Sequence, residues 1–142
     1  MIENIQGVYT QIYDELKTYL QENSLYNPYI FKREPNDKKF PIVIMKELYD
    51  NSIYTTLKYT DEIYYLDFEI NVFAMQKGNV SNMTIANEIT NIIEQFFKDN
   101  YKVRVRARRD ADNIDPTVYR NIVTVRLKVE TKYKDKLIIS PR

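Results

Sequence analysis

A short acidic segment is the first place where this sequence could do chemistry. Four oxygen-bearing side chains lie close together there: Asp110, Asp112, Asn113 and Asp115. Carboxylate and amide oxygens suit calcium, but in a calcium-binding loop counted from Asp110 the turn glycine is replaced by Asp115 and the bidentate glutamate by Asn121. The spacing therefore predicts a solvated turn before a strand, without a bound metal or other cofactor.

The residue types on which most enzymes rely are absent or scarce. The sequence has no histidine and no cysteine, which removes the commonest general base, the Ser-His and Cys-His nucleophile systems, thiolate metal sites and disulfides. Its two glycines, Gly7 and Gly78, cannot build a phosphate-binding loop, a dinucleotide-binding turn or a nucleophile elbow. We therefore expect a protein that is not an enzyme.

Four arginines lie close together in the segment YKVRVRARR: Arg104, Arg106, Arg108 and Arg109. They are predicted to line up on an exposed face or edge of a strand. Three interpretations stay open: contact with phosphate groups, pairing with acidic groups of a neighbouring subunit, or a solvated face that discourages edge-to-edge aggregation. The net charge of +1, from 21 Lys and Arg against 20 Asp and Glu, disfavours a dedicated nucleic-acid-binding protein.

Two amphipathic helices are predicted to frame the strands. The first covers residues 2–22, where apolar side chains recur every three or four positions. The second starts after the capping residue Ser81 and ends near Asp99 and Asn100. Each helix is thus expected to pack one apolar stripe against a core.

Strands are predicted where apolar and polar residues alternate or where short apolar runs occur. They cover residues 29–33, 42–49, 52–59, 62–74, 101–109 and 118–132. The run IVIM at 42–45 is typical of a strand covered on both faces. Close spacing favours antiparallel hairpins, which predicts an α+β fold with a mostly antiparallel sheet, two helices packed on one face and the order α-β-β-β-β-α-β-β.

The end of the chain is predicted to stand apart from this pattern. Residues 1–131 are interpreted as a single α+β domain, and residues 132–142 as a C-terminal arm or an extra edge strand. The tail carries three consecutive apolar residues, Leu137, Ile138 and Ile139. Two alternatives stay open: it adds an edge strand to its own sheet, or it pairs with a sheet edge of the next copy.

Composition indicates a protein that works by binding other proteins. A hydrophobic share of 44% in 142 residues suffices for one core. No apolar run could cross a bilayer, and the start MIENIQGVY lacks the regions of a signal peptide, so we expect a protein kept in a reducing cytosol, away from membranes. Tyrosine occurs 13 times. It favours sheets, and it is also enriched at protein interfaces.

The middle and end of the chain resemble a family of tailed-bacteriophage proteins described as tail terminators, tail-completion proteins or minor capsid proteins. The resemblance is carried by the strand FEINVFA at 68–74, the Lys77-Gly78 turn and the segment TVYR at 117–120, and it covers roughly residues 51–130. The strongly basic strand after the second helix differs from the family pattern, as does the lack of a proline just before the DADNID loop.

This resemblance implies a structural protein of the virion, located at the tail–head junction and assembled in the bacterial host cytoplasm. A ring of about six copies would cap the tail tube and join it to the head-side connector or neck protein, beside a sheath where the tail is contractile. DNA would pass through the ring without sequence-specific binding. The candidate interface residues are Tyr54, Tyr59, Tyr64, Tyr65, Arg104, Arg106, Arg108, Arg109, Leu137, Ile138 and Ile139.

Two other functions stay open at this point. A head-completion or tail-to-head joining protein would also form a ring on the same axis. A nucleic-acid-binding module that uses the arginine strand is a more distant alternative, for which DNA binding should depend steeply on salt.

Overall fold

The computed structural model describes residues 5–48, 52–55, 62–132 and 136–142. These segments have an α+β fold with the predicted order of elements, and one further strand follows at the end. In chain order the elements are α1 (Ile5–Asn23), β1 (Tyr29–Phe31), β2 (Ile42–Glu47), β3 (Ser52–Thr55), β4 (Glu62–Ala74), α2 (Asn82–Asn100), β5 (Val103–Arg108), β6 (Tyr119–Lys132) and β7 (Lys136–Ile139).

The described strands form one sheet with the order β1-β2-β4-β6-β5. β3 continues along β4 beyond the end of β2, and β7 continues along β6 beyond the start of β5. All pairings are antiparallel except that of β1 with β2, which is parallel. The sheet is therefore mixed, because residues 32–41 return the chain to the end where β1 starts, instead of forming a hairpin.

β4 and β6 form the long centre of the sheet. Twelve position pairs join them, from Ile63 opposite Glu130 to Ala74 opposite Tyr119. Alternate side chains of both strands are fully buried on one face: Leu66, Phe68, Ile70, Val72, Val123, Val125, Leu127 and Val129. The residues between them point to the opposite face, which we call the outer face.

Both helices pack on the buried face of the sheet, as predicted. The apolar side chains that they bury completely in one core are Val8, Ile12, Leu16 and Leu20 of α1 and Ile89, Ile93 and Phe97 of α2. The helices run antiparallel: the rings of Tyr19 and Phe96 are 5.3 Å apart, and Ser24 Oγ donates to Glu88 Oε2 at 3.1 Å. Each of these apolar side chains contributes about 1.5–3 kcal/mol on burial.

Two tyrosine hydroxyls attach α1 to its neighbours. Tyr9 donates to the main-chain carbonyl of Met45 in β2, and Tyr101, just after α2, donates to the carboxylate of Glu15. Burial raises the pKa of Tyr9 to about 12. Burial and the contact with Glu15 also raise the pKa of Tyr101. The ring of Tyr9 is buried and that of Tyr101 is half-buried, and both side chains have a satisfied polar tip.

A buried asparagine fixes α2 on the sheet. Asn121 of β6 is fully buried, and its side-chain nitrogen donates to Asn87 Oδ1 at 3.0 Å and to Thr90 Oγ1 at 2.8 Å. Its side-chain oxygen accepts from the main-chain nitrogen of Asp110 at 3.1 Å. A buried polar group without such partners costs about 1–3 kcal/mol, so this network favours one position of α2 over β6.

Candidate interaction surfaces

The outer face of β5 carries a row of exposed arginines. Arg104, Arg106 and Arg108 occupy every second position, so their Cα atoms are about 7 Å apart along the strand. Arg104 lies directly opposite another cation, Arg126 of β6. Within the described segments, none of the three side chains of this row forms a hydrogen bond or an ion pair. They lie in the predicted row and face solvent.

Arg109 does not continue this row, so the prediction of four aligned arginines is wrong at its last position. β5 ends at Arg108, and Arg109 reaches the helix side instead. Its Nη2 donates to Asn91 Oδ1 at 2.8 Å and contacts Glu94 Oε1 at 2.9 Å. Arg109 has the parity of Val103 and Ala107, so alternation puts it on the helix side, where three side chains of α2 hold it, with Nη1 also donating to Asn87 Oδ1 at 3.4 Å.

Acidic side chains on the outer face engage the cations of β6. Arg126 donates through Nε and Nη2 to the two carboxylate oxygens of Asp67, at 2.8 and 3.0 Å. This bidentate geometry is the favourable one for an arginine and a carboxylate. Lys128 pairs with Glu130 at 3.2 Å. Asp67 and Glu130 therefore pair with cations of β6, and the three arginines of β5 have no acidic partner among the described residues.

A groove of about 490 Å³ opens beside the start of β5. Its lining residues are Ile63, Tyr65, Lys102, Val103, Arg104, Arg126 and Lys128. Lys102 extends the arginine row by one alternate position, and we call Lys102, Arg104, Arg106 and Arg108 the basic strip. The Arg126 guanidinium lies 5.8 Å from the centre of the Tyr65 ring, so a cation already covers that ring.

The predicted tyrosine candidates are described to different extents. Tyr65 is half-buried and lines the groove on the outer face. Tyr54 lies in β3 and Tyr64 in β4, but their side chains are outside the described part of the structure. Tyr59 lies outside the described residues altogether. The tyrosine patch therefore stays a prediction, with Tyr65 as its described member.

The C-terminal residues form β7 on the edge of β6, which is the first of the two predicted alternatives. Ile139 pairs with Val129, is 8% exposed and belongs to the core. Ile138 is half-buried, and the side chain of Leu137 lies outside the described part. The tail thus completes its own sheet in this structure.

The three segments that carry the family resemblance lie together at one end of the sheet. Residues 68–74 end β4, and residues 117–120 lead into β6 where the two strands pair. In the turn between β4 and α2, Gly78 has a φ of 60°, a conformation that favours glycine. Asn82 Nδ2 donates to the main-chain oxygen of Thr117 at 3.0 Å and so joins the start of α2 to this end.

An arginine connects the outer face to the loop between β5 and β6. Arg120 donates through Nε and Nη2 to Asn71 Oδ1, at 3.0 and 2.8 Å, and through Nη1 to the main-chain oxygen of Asp112 at 3.0 Å. Its guanidinium also lies 5.5 Å from the centre of the Phe73 ring. One side chain thus holds β4, β6 and the loop together.

The acidic loop is folded by hydrogen bonds of its own. Asp115 accepts from the main-chain nitrogen and the hydroxyl of Thr117, at 2.9 and 2.7 Å, and these bonds lower the pKa of Asp115. The main-chain nitrogen of Ala111 donates to the oxygen of Arg120 at 2.7 Å. In the described segments, no group of three or more Asp, Glu, His or Cys side chains converges as a metal site would require.

A cleft of about 560 Å³ lies beside this loop on the outer face. Ile42, Ile44 and Phe73 line it together with residues between 34 and 40. Ile42 and Ile44 are 2% and 5% exposed, while the other two residues of the run IVIM belong to the main core. The predicted covering of β2 on both faces is therefore confirmed.

Large apolar side chains are exposed at the same end of the fold. Among the described residues they are Leu25, Tyr29, Met75, Met83 and Ile114. They lie after α1, at the start of β1, after β4, in the first turn of α2 and in the loop between β5 and β6, which all belong to one end of the sheet. We call this surface the apolar end. Periodicity could not reveal it, because these residues lie singly in polar segments.

Ile114 is the most exposed member of the apolar end. It is 103% exposed, and it belongs to the same loop that Arg120 holds against β4. Ile114 thus offers its whole side chain to a partner, and four more exposed apolar side chains lie at the same end of the fold. The apolar end is therefore the strongest candidate for an interaction surface that sequence reasoning missed.

Comparison of the chain with models of protein families and with curated proteins finds no match. The class is thus defined by the structure alone, as an α+β protein whose sheet is covered by both helices on one face. No helix within the described segments is long and apolar enough to span a membrane.

Proposed function

We propose that this protein is a structural virion protein of a tailed bacteriophage, a tail terminator whose copies form a ring on the end of the tail tube. The observation that carries the proposal is the meeting of the three resemblance segments. Residues 68–74 and the Lys77-Gly78 turn follow each other in sequence, and the pairing of β4 with β6 brings the distant residues 117–120 to the same end of the sheet. A family pattern that forms one contiguous structural unit is more informative than three scattered matches.

Such a ring would work through contacts, not through bond-making chemistry. In a closed ring each copy offers two different, complementary patches to its neighbours, and a third surface must meet the tube. We assign the tube contact to the apolar end, because the buried centre of a protein interface is rich in apolar side chains and poor in charge. The opposite end would then face the head-side connector.

The test is tail length in a phage whose copy of this gene is inactivated, measured by negative-stain electron microscopy. Overlong or ragged tubes without heads are the result expected for a terminator. Tails of normal length beside separate heads would instead assign the protein to head completion or tail-to-head joining. Normal, infectious particles would overturn both structural assignments.

A biochemical test uses the purified protein and purified tail tubes. Electron microscopy of the mixture should show extra density at one end of each tube, with a ring of about six copies in end views. The same preparation with an unrelated protein of similar size is the control. Binding along the tube wall, or no binding at either end, would contradict the proposal.

A further inference from the structure

We propose that the basic strip binds the sugar–phosphate backbone of duplex DNA without sequence specificity. Its residues are Arg104, Arg106 and Arg108 on the outer face of β5 and Lys102, which directly precedes the strand. The proposal goes beyond the terminator function, which requires DNA to pass but not to be bound. It does not depend on ring formation, so each can be tested alone.

The first argument is local charge. The protein carries a net charge of only +1, yet four cations follow one another on one strand face. Of the acids on that face, Asp67 holds Arg126, Glu130 holds Lys128, and Glu69 lies directly opposite Lys46 of β2. Four uncompensated positive charges therefore face solvent together, which is the electrostatic footprint that phosphate groups recognise.

The second argument is geometry. β5 pairs with β6 on one side and, within the described segments, with no strand on its other side. The strip thus lies along the border of the sheet, and its side chains recur about every 7 Å. A long polyanion can follow such a row without meeting another described strand. Guanidinium groups also match phosphate oxygens through paired donors.

The third argument concerns the kind of nucleic acid. Single strands are held mainly by aromatic side chains on which bases stack. Tyr65 is the aromatic residue that lines the groove beside the strip, and Arg126 covers its ring. The strip offers no helix or narrow ribbon that could enter a groove and read base edges. Contacts are therefore limited to phosphate, which favours duplex DNA of any sequence.

Two other roles explain the strip less well. A guard against edge-to-edge aggregation needs fewer charges, and it does not account for Arg104 lying directly opposite Arg126, since like charges in that position destabilise a sheet. A contact with a second copy needs a matching acidic row. No strand of the described segments carries three acidic side chains at two-residue spacing.

The test measures binding of short duplex DNA of two unrelated sequences by fluorescence anisotropy at several salt concentrations. Four phosphate contacts predict a slope of about −3.6 in a plot of log affinity against log salt, or roughly a hundredfold loss from about 50 to about 200 mM salt. Both sequences should give the same slope. The triple variant R104Q/R106Q/R108Q should retain a slope of only about −0.9.

A matched control removes three exposed cations elsewhere. The variant K17Q/R33Q/K39Q changes the net charge equally but alters α1 and the link between β1 and β2. It should keep the slope of the unchanged protein. Circular dichroism and thermal unfolding establish that both triple variants fold. Should the strip triple fail to fold, the single variant R106Q should still reduce the slope by about 1.

Several outcomes would overturn the proposal. One is failure of the unchanged protein to bind DNA at low salt, and another is a control triple variant that loses as much affinity as the strip triple variant. A third is single-stranded DNA that binds more tightly than duplex DNA. A strip triple that keeps DNA binding but loses self-association or binding to tubes would assign the strip to a protein contact instead. The terminator function is judged separately by tail length, so failure of one proposal is not failure of the other.

Discussion

Arg120 places two of its guanidinium nitrogens on one oxygen of Asn71, at 3.0 and 2.8 Å. Asn71 is 2% exposed, so this oxygen has no ready replacement in solvent. The third contact of Arg120, to the main-chain oxygen of Asp112, lies in the loop that carries Ile114. Through Arg120, Asn71 thus helps to hold the loop that carries Ile114, the most exposed apolar residue.

Asn71→Ala is expected to lower the free energy of unfolding by about 1–3 kcal/mol, because two hydrogen bonds to a charged group are lost. Urea unfolding measures the change. Asn36→Ala, an exposed asparagine in the link between β1 and β2, is the control and should stay within about 0.5 kcal/mol of the unchanged protein. Equal effects of the two substitutions would contradict the role given to Asn71.

Asn121→Ala is expected to cost about 2–4 kcal/mol of unfolding free energy. The substitution removes the hydrogen bonds that Asn121 forms with Thr90 Oγ1 and with the main-chain nitrogen of Asp110. Thr124→Ala changes an exposed position of the same strand and serves as the control in the same chemical unfolding experiment. A loss below about 0.5 kcal/mol for Asn121→Ala would show that the network does not fix α2.

Two isoleucines, one buried and one exposed, test which residues stabilise the fold. Ile139→Ala should destabilise the protein by about 2–5 kcal/mol, since Ile139 of β7 is 8% exposed and packs in the core. Ile114→Ala should have an effect within about 0.5 kcal/mol, since Ile114 is fully exposed. Thermal unfolding distinguishes these outcomes. A neutral Ile139→Ala would mean that β7 does not stay on β6 in solution.

Ile114→Ser is expected to weaken binding to tail tubes without altering stability, if the apolar end meets the tube as proposed. Loss of a central apolar anchor typically costs about 2 kcal/mol of binding, or roughly thirtyfold in affinity. Co-sedimentation with tubes gives the measurement. Leu25→Ser is a second test at the same end, and Thr18→Ser, at an exposed position of α1, is the control. Unchanged binding of both apolar-end variants would remove this surface from the proposal.

Stability is expected to fall as the pH rises above 10. The pKa of Tyr9 is 10.0 in its ordinary state and about 12 in the folded protein, so in this interval the unfolded chain releases a proton that the folded protein keeps. Each pH unit in this interval therefore lowers the free energy of unfolding by about 1.4 kcal/mol. The raised pKa of Tyr101 acts in the same direction.

Urea unfolding at a series of pH values on either side of 10 measures this slope. Tyr9→Phe removes the titrating group and keeps the ring in the core, so the variant should show a shallower decline. A slope identical to that of the unchanged protein would contradict the assignment to Tyr9.

The sequence predicted those elements whose pattern is local. Alternation over residues 62–74 gave the bounds of β4, and the capping of Ser81 gave the start of α2, because both depend on neighbouring residues. The parallel pairing of β1 with β2 was not predicted, because the link between them carries no signal for which end of the sheet it returns to. Long-range contacts were also beyond reach: alternation indicates the helix side for Arg109, but its partners Asn91 and Glu94 are known only from the fold.

The apolar end shows a different limit of sequence reasoning. Met83 and Ile114 each look like an ordinary apolar residue in a polar segment, and only the fold brings them to one end. The basic strip, by contrast, was visible in the alternation of arginines. What the sequence could not indicate was that Asp67 and Glu130 are engaged elsewhere.

The twelve-position pairing of β4 with β6 has a mechanical consequence. Hydrogen bonds of antiparallel strands lie perpendicular to the strand direction, so tension along the strands strains all of them in shear at once. Tension across the strands would instead break the hydrogen bonds one after another. This pairing therefore resists tension best along the line that joins the apolar end to the end formed by β3 and β7.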